Sequence, residues 1–178
     1  MSRLPTVGGD QNAWGTVLNE TLNRVVVFDG SANCLLVNNP YRARATISFS
    51  LNVANNTWTT IRFNTLSWDP SGGFDANSGT YTIPVSGCYG IQASVGYVAA
   101  SGGIRVAAIF VNSVETSRGN EAFVPWNSND LDVVTMQDQL FLNRNDIVTI
   151  KASQTAGSSL TVAPHGPSTH VSIQFMYQ

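Results

Sequence analysis

The amino-acid sequence predicts an all-β protein built as an antiparallel sandwich. Three observations carry this. Apolar residues recur with a period of two rather than 3.6, and the apolar runs are short and split by Gly, Asn, Asp and Pro. About ten such runs follow one another at spacings of roughly 8–15 residues, which is the signature of a sandwich or barrel. No strand–helix–strand alternation occurs, so a parallel sheet is not expected.

The elements follow in order. Residues 12–23 hold the single helical pattern, with Trp14, Val17, Leu18 and Leu22 spaced for one face and Asp10 placed to cap it. Val25 to Phe28 reads as a strand closed by Asp29-Gly30, and Cys34 to Val37 as another closed by Asn38-Asn39-Pro40. From Ala43 to Val53 every second residue is apolar, which predicts one strand with a wet face. Trp58 and Thr60 continue the sheet, and Ser71-Gly72-Gly73 and Asn77-Ser78-Gly79 are turns. Tyr81-Thr82-Ile83 stops at Pro84, which has no N–H for a ladder. Tyr89, Ile91, Ala93, Val95 and Tyr97 alternate, and Ser101-Gly102-Gly103 turns the chain into the alternating run Ile104, Val106, Ala108 and Phe110. Residues 115–132 carry the weakest strand signal. Leu140 to Leu142, Ile147 to Ile150 and the alternating Val171, Ile173, Phe175 and Tyr177 complete the set.

Composition bounds the function. The chain has 178 residues, enough for one domain with a short arm, and is 43% hydrophobic but only 11% charged. Soluble domains average roughly 25% charged residues. Asn, Ser, Thr and Gln cover the surface instead, which suits packing against copies of the same chain, since buried charges are costly unless paired. The net charge is −2 and the basic residues form no run, so nucleic-acid binding has no electrostatic basis. No apolar stretch is long enough to span a bilayer, and the start of the chain lacks the apolar core of a secretory signal. The expectation is synthesis in a cytoplasm without export. Cys34 and Cys88 are too few to define a disulfide framework, and Cys88 reads as a small buried hydrophobe.

Phe74-Asp75, followed by Gly79-Thr80-Tyr81-Thr82-Ile83-Pro84-Val85-Ser86-Gly87-Cys88-Tyr89-Gly90-Ile91, resembles the C1q/tumour-necrosis-factor superfamily. Further matches follow in the family's order. Arg44 to Ser50 is similar to its first strand, and Ile104 to Asn112 to a strand ending in an Asn turn. Leu140-x-Leu142-x-x-Asn145-Asp146-x-Val148 is similar to its leucine–Asp–valine hairpin, and Val171 to Tyr177 to its terminal strand. The resemblance spans residues 43–178. It implies a C1q-like jelly roll that assembles as a homotrimer, with Tyr89, His170, Ser172, Gln174, Phe175 and Tyr177 as candidates for the trimer interface and core. Two departures stand out: Gly90 replaces a commoner bulky residue, and Ile173-Gln174-Phe175 replaces a Phe-x-Gly step. Physically, Pro84 and Gly87 bracket a tight corner after which Tyr89 points into the sandwich.

Leu4-Pro5-Thr6-Val7-Gly8-Gly9-Asp10, with Trp14-Gly15-Thr16-Val17-Leu18-Asn19, resembles the opening of phage tail and other virion proteins. This implies a domain plan of an attachment arm over residues 1–24, a β extension or linker over 25–42, and the jelly roll over 43–178. Leu4, Pro5, Trp14, Val17, Leu18 and Leu22 form the strip that would dock, on another virion protein or on the chain's own sandwich.

The sequence carries no recognisable catalytic constellation. Gly-x-Ser-x-Gly, phosphate-loop and His-Glu-x-x-His patterns are missing. The two histidines, His165 and His170, have no Cys or carboxylate nearby, so zinc is not expected. Asn127, Asn129, Asp130 and Asp132 offer alternate oxygens but lack the Gly and distant Glu of a calcium loop. Some proteins that the chain resembles hold calcium near the trimer axis, and Asp130 and Asp132 are the residues that could serve. The preferred reading is a solvated loop, with no metal and no cofactor. Phe123, Trp126, Asn127 and Asn129 are the receptor-loop candidates, since an exposed Trp beside amides suits sugar or protein recognition. The alternative, which the residues favour slightly, is that Phe123 and Trp126 cover the end of the sandwich or pack between subunits. Together these readings predict a non-enzymatic virion protein, tail-associated or at a fibre tip, that trimerises and contacts the host surface. The alternatives are a capsid decoration protein, and a glycan-binding lectin or depolymerase.

Overall fold

A computed structural model describes residues 26–29, 34–37, 39–100, 102–119, 122–123 and 131–178. The chain divides into two compact units, Met1–Asn39 and Pro40–Gln178. In the first, β1 (Val26–Asp29) and β2 (Cys34–Val37) pair antiparallel, from Val26 opposite Val37 to Asp29 opposite Cys34. The arm residues Leu4, Pro5, Trp14, Val17, Leu18 and Leu22, and the helical pattern at 12–23, lie outside the described residues.

The second unit runs through β3 (Arg42–Thr46), β4 (Leu51–Val53), β5 (Thr59–Thr60), β6 (Thr65–Trp68), β7 (Phe74–Asp75), β8 (Thr80–Thr82) and β9 (Gly87–Tyr97). It continues with β10 (Ile104–Val111), β11 (Val114–Arg118), β12 (Ala122–Phe123), β13 (Asp132–Leu142), β14 (Ile147–Gln154), β15 (Leu160–Val162) and β16 (His170–Tyr177). These form two seven-stranded sheets. The front sheet has the order β4-β15-β9-β16-β3-β6, with β13 on the other edge of β9. The back sheet has the order β11-β10-β14-β8-β7, with β12 beside β10 and β5 beside β14. Every pairing between named strands is antiparallel.

The unit boundary at residue 39 falls earlier than the expected start at 43, because Tyr41 and Arg42 already belong to the sandwich. Tyr41 packs edge-on against Phe175 at 5.8 Å, and Arg42 sits opposite Gln174. The alternating run from Ala43 to Val53 is divided rather than continuous. β3 pairs with β16 and β4 with β15, so the segment between β3 and β4 faces the connection at 163–169. That connection holds Pro164 and Pro167, which cannot donate to a ladder. The side-chain alternation survives the break, with Ala43, Ala45, Ile47 and Val53 all buried.

Val114–Arg118 is also more regular than its sequence suggests, forming the strand β11. Asn112 and Ser113 take φ of 49° and 70°, which turns β10 tightly into β11, with Val111 opposite Val114. The Asn112 amide then ties this hairpin to the next. Its Nδ2 donates to Asp146 Oδ1 at 2.8 Å, and its Oδ1 accepts the Ile147 N–H at 2.9 Å.

The core lies between the sheets. Tyr89, Ile91, Ala93, Val95 and Tyr97 face it from β9, as their alternation predicts, and all are essentially inaccessible. Tyr89 fills the corner after Gly87, and its hydroxyl donates to the Val85 carbonyl at 2.8 Å. Burial pushes the Tyr89 phenol up to about 12. A different outcome meets the run Ile104, Val106, Ala108 and Phe110. The residues of β10 that join the core are Ala107 and Ile109, with Arg105 in phase with them, so the four alternate residues stand on the outward face. There Val106, Ala108 and Phe110 are nonetheless buried. Trp58 packs edge-on against Phe110 at 5.3 Å and Lys151 Nζ sits 4.4 Å from the same ring.

Arg105 is fully buried. Its two terminal nitrogens donate to the Gly102 and Ala100 carbonyls, each at 2.8 Å, its guanidinium lies 5.9 Å from the Tyr97 ring, and its Nε is 3.7 Å from Asp132 Oδ2. The side chain thereby fixes the turn between β9 and β10 from the inside.

Candidate functional site

The outward face of the front sheet is the candidate site. Strand pairing lays its residues out in rows. One row runs Gln137, Gln92, Ser172, Arg44 and Trp68 across β13, β9, β16, β3 and β6. The row beside it runs Gln139, Gly90, Gln174 and Arg42, and the row on the other side runs Thr135, Ser94, His170 and Thr46. Arg42 and Arg44, both on β3, are the only charged residues in these rows. Arg42 is engaged locally, its guanidinium 5.3 Å from the Trp68 ring.

A groove of about 600 Å³ runs along this face, lined by Gly90, Gln92, Gln137, Gln139, Gln174 and Met176 among others. Gly90 opens it. A Cβ at this position would come within 3.4 Å of Met176 Sδ, so any larger side chain would push Met176 aside or fill the groove. Apolar residues flank the amides. At one end a bulge after Phe175 sets Tyr177 opposite Cys88, whose other neighbour is Phe141. Tyr177 is 60% and Phe141 68% exposed, whereas the free thiol of Cys88 is buried between the neighbouring strands. At the sheet edge all four residues of β6 are exposed, including Leu66 at 43% and Trp68 at 38%. Large apolar side chains this open on a sheet edge make it a candidate contact surface.

The candidates named from sequence divide between the two sides of the sheet. His170, Ser172 and Gln174 lie on the open face and Tyr177 at its end. Tyr89 and Phe175 face inward, stacked edge-on at 5.4 Å, so Tyr89 is sealed in the core and unavailable to a second copy. Gly90, Gln92, Gln137, Gln139 and Phe141 were not foreseen. For the three on β13 the signal that hid them is Asp138, which takes an inward-phase position in that strand and so interrupts the apolar alternation. Its Oδ1 accepts the Gln139 N–H at 2.8 Å.

Of the receptor-loop candidates, Phe123 falls in the short strand β12, whereas Trp126, Asn127 and Asn129 lie outside the described residues, as does the calcium candidate Asp130. Asp132, the one calcium candidate among the described residues, opens β13 with its carboxylate 3.7 Å from the Nε of the buried Arg105. Among the described residues no group of three or more His, Cys, Asp or Glu could hold a metal ion. His165 Nδ1 and Ser168 Oγ are hydrogen-bonded at 3.0 Å in the connection before β16.

His170 is the one histidine on the open face. Burial lowers its pKa below the ordinary 6.5, and the positive charge of Arg44 lowers it further. The unfolded chain therefore binds a proton that the folded chain refuses in the window just below 6.5, so stability is complete above that value and falls as pH drops through it. Urea midpoints at neutral pH and at about pH 5 are expected to show this fall, and His170→Gln is expected to reduce it. Equal falls in both proteins would assign the acid sensitivity elsewhere.

No protein-family model matches the sequence, and no curated protein matches it. Solved structures do. The Eiger TNF of S. frugiperda shares 10% identity with a TM-score of 0.59, over 77% of this chain and 92% of that one. The globular domain of zebrafish complement 1qA protein shares 16% with a TM-score of 0.55, over 77% and 98%. Murine APRIL shares 15% with a TM-score of 0.56, over 76% and 98%. The chain therefore has the antiparallel jelly-roll fold of the C1q/tumour-necrosis-factor type. Identities this low establish the fold and not the function.

Proposed function

We propose that this chain is a non-enzymatic binding module that works as a homotrimer, its subunits meeting through the open face of the front sheet. The carrying observation is the chemistry of that face. Gln92, Gln137, Gln139 and Gln174 each present a donor and an acceptor, so the same surface on a rotated copy can satisfy them without bringing like charges together. Phe141, Met176, Tyr177, Leu66 and Trp68 supply the apolar area that drives association. The resemblance in fold supports the threefold order of this proposal.

The setting we propose is a bacteriophage particle. The opening Leu4-Pro5 and Trp14-Gly15-Thr16-Val17 pattern supports this, as an arm that would anchor the trimer to another virion protein. A tail-associated or fibre-tip position would present three identical weak sites to the host surface, and linked sites gain avidity without new contacts. Sedimentation of the purified full chain is expected to give three times the 19.1 kDa chain mass. A monomer at micromolar concentration would end the trimer reading. Labelled protein imaged on intact particles is expected at the tail, and density on the head would replace that reading with capsid decoration.

A further inference from the structure

The open face of the front sheet does not account for Trp58. This indole lies against the opposite sheet, at the rim of a cleft of about 280 Å³ on its outward side. The cleft is lined by Asn56, Trp58, Ile104, Arg118, Ser153 and Thr155, with the buried Val106 as part of its floor. That volume is just below the range of about 300–1,000 Å³ typical for drug-sized ligands, and suits a single ring with an open exit.

The cleft is rigid where it matters. Trp58 is held by its edge-on contact with Phe110, and the Arg118 guanidinium lies 5.5 Å from the indole ring. Thr155 Oγ1 accepts the Ile104 N–H at 2.9 Å, which fixes the hydroxyl and leaves its hydrogen to donate. Asn56 is set by its left-handed backbone, φ 54°, and by its N–H on the Gln154 carbonyl at 2.8 Å. No hydrogen bond within the described residues engages the Asn56 amide or the Ser153 hydroxyl. An indole bordered by an amide and two hydroxyls with bonding capacity left is the chemistry that grips a pyranose: the ring stacks on the apolar face and its hydroxyls find donors and acceptors at the edge. Phosphate fits poorly. The only cation in the lining, Arg118, is already held by Glu115 through contacts of 2.7 and 3.2 Å.

We infer that the Trp58 cleft is a saccharide-binding site, with Trp58 as the stacking platform and Asn56, Ser153 and Thr155 as hydroxyl partners. This names a ligand class for the surface-binding role proposed above and draws its biological setting from that reading. The lining residues described all come from one chain, on the sheet opposite the proposed self-association face.

The test is ligand-observed NMR on the full chain with the methyl glycosides of glucose, galactose, N-acetylglucosamine and N-acetylneuraminic acid. At least one glycoside is expected to bind. Trp58→Ala is expected to weaken it roughly ten-fold or more, and Ser153→Ala and Asn56→Gly each several-fold. Asn56→Gly keeps the positive φ accessible, so these two variants remain informative if Trp58→Ala fails to fold. Asn77→Ala, in the exposed turn between β7 and β8, is expected to change nothing. Failure of all four glycosides to bind, or binding that survives Ser153→Ala and Asn56→Gly undiminished, overturns the site. Sedimentation of the same samples separates the two readings: a trimer that binds no sugar overturns only the cleft, and a monomer that binds sugar through Trp58 overturns only the assembly.

Discussion

Arg105→Met is expected to cost about 3–5 kcal/mol of folding stability, the range for removing one partner of a buried ion pair. For a domain whose total stability is of the order of 5–15 kcal/mol, that is a large share. Three losses combine. The Gly102 and Ala100 carbonyls lose their donors at 2.8 Å, the Tyr97 ring loses its cation, and Asp132 loses the guanidinium beside it. Burial already disfavours the charged form of Arg105 and the Asp132 carboxylate favours it, so the arginine and the acid are a coupled pair. Urea unfolding of Arg105→Met, Asp132→Leu and the double variant checks this. The double variant is expected to recover much of the loss, because an apolar pair leaves less buried charge. A single-variant loss below about 1 kcal/mol would mean that the turn between β9 and β10 is held by other contacts.

Gln92→Glu is expected to abolish self-association while leaving the subunit folded. Gln92 is exposed in the isolated chain and sits in the central row of the open face, between Gln137 and Ser172. A carboxylate there is a charge placed among amides, and taking it out of water in a contact between copies costs several kcal/mol unless it is well paired. The concentration needed for assembly is expected to rise by about three orders of magnitude, since each 1.4 kcal/mol is worth roughly ten-fold. Thr116→Glu, on exposed β11 of the back sheet, is the control and is expected to remain trimeric. Sedimentation across a dilution series reads both. An unchanged trimer in Gln92→Glu would place the contact on another surface.

Much of the fold was legible because its signal is local. Tyr89 to Tyr97 alternate in the sequence and are buried as read, and the Pro84–Gly87 corner turns Tyr89 inward as expected. Val171 and Ile173 likewise face the core and leave His170, Ser172 and Gln174 on the open side. In each case one phase of the strand is apolar and the other polar, so the pattern has a single solution. β10 has no such asymmetry. Ile104, Val106, Ala108 and Phe110 are as apolar as Ala107 and Ile109, and the one polar residue, Arg105, stands in the buried phase. Alternation cannot choose a side there.

The amino-acid order by itself determined the class of fold, the strand phases wherever polarity is one-sided, and the scarcity of charge that makes an amide surface available for contact between copies. Only the tertiary structure decided which amides share a surface, because Gln92, Gln137 and Ser172 become neighbours through pairings between strands far apart in the chain. It also decided that Trp58 borders a cleft with Ser153, a proximity that depends on β5 reaching β14. Periodicity reports what each residue does within its own strand. Proximity between strands is set by packing, which no single segment encodes.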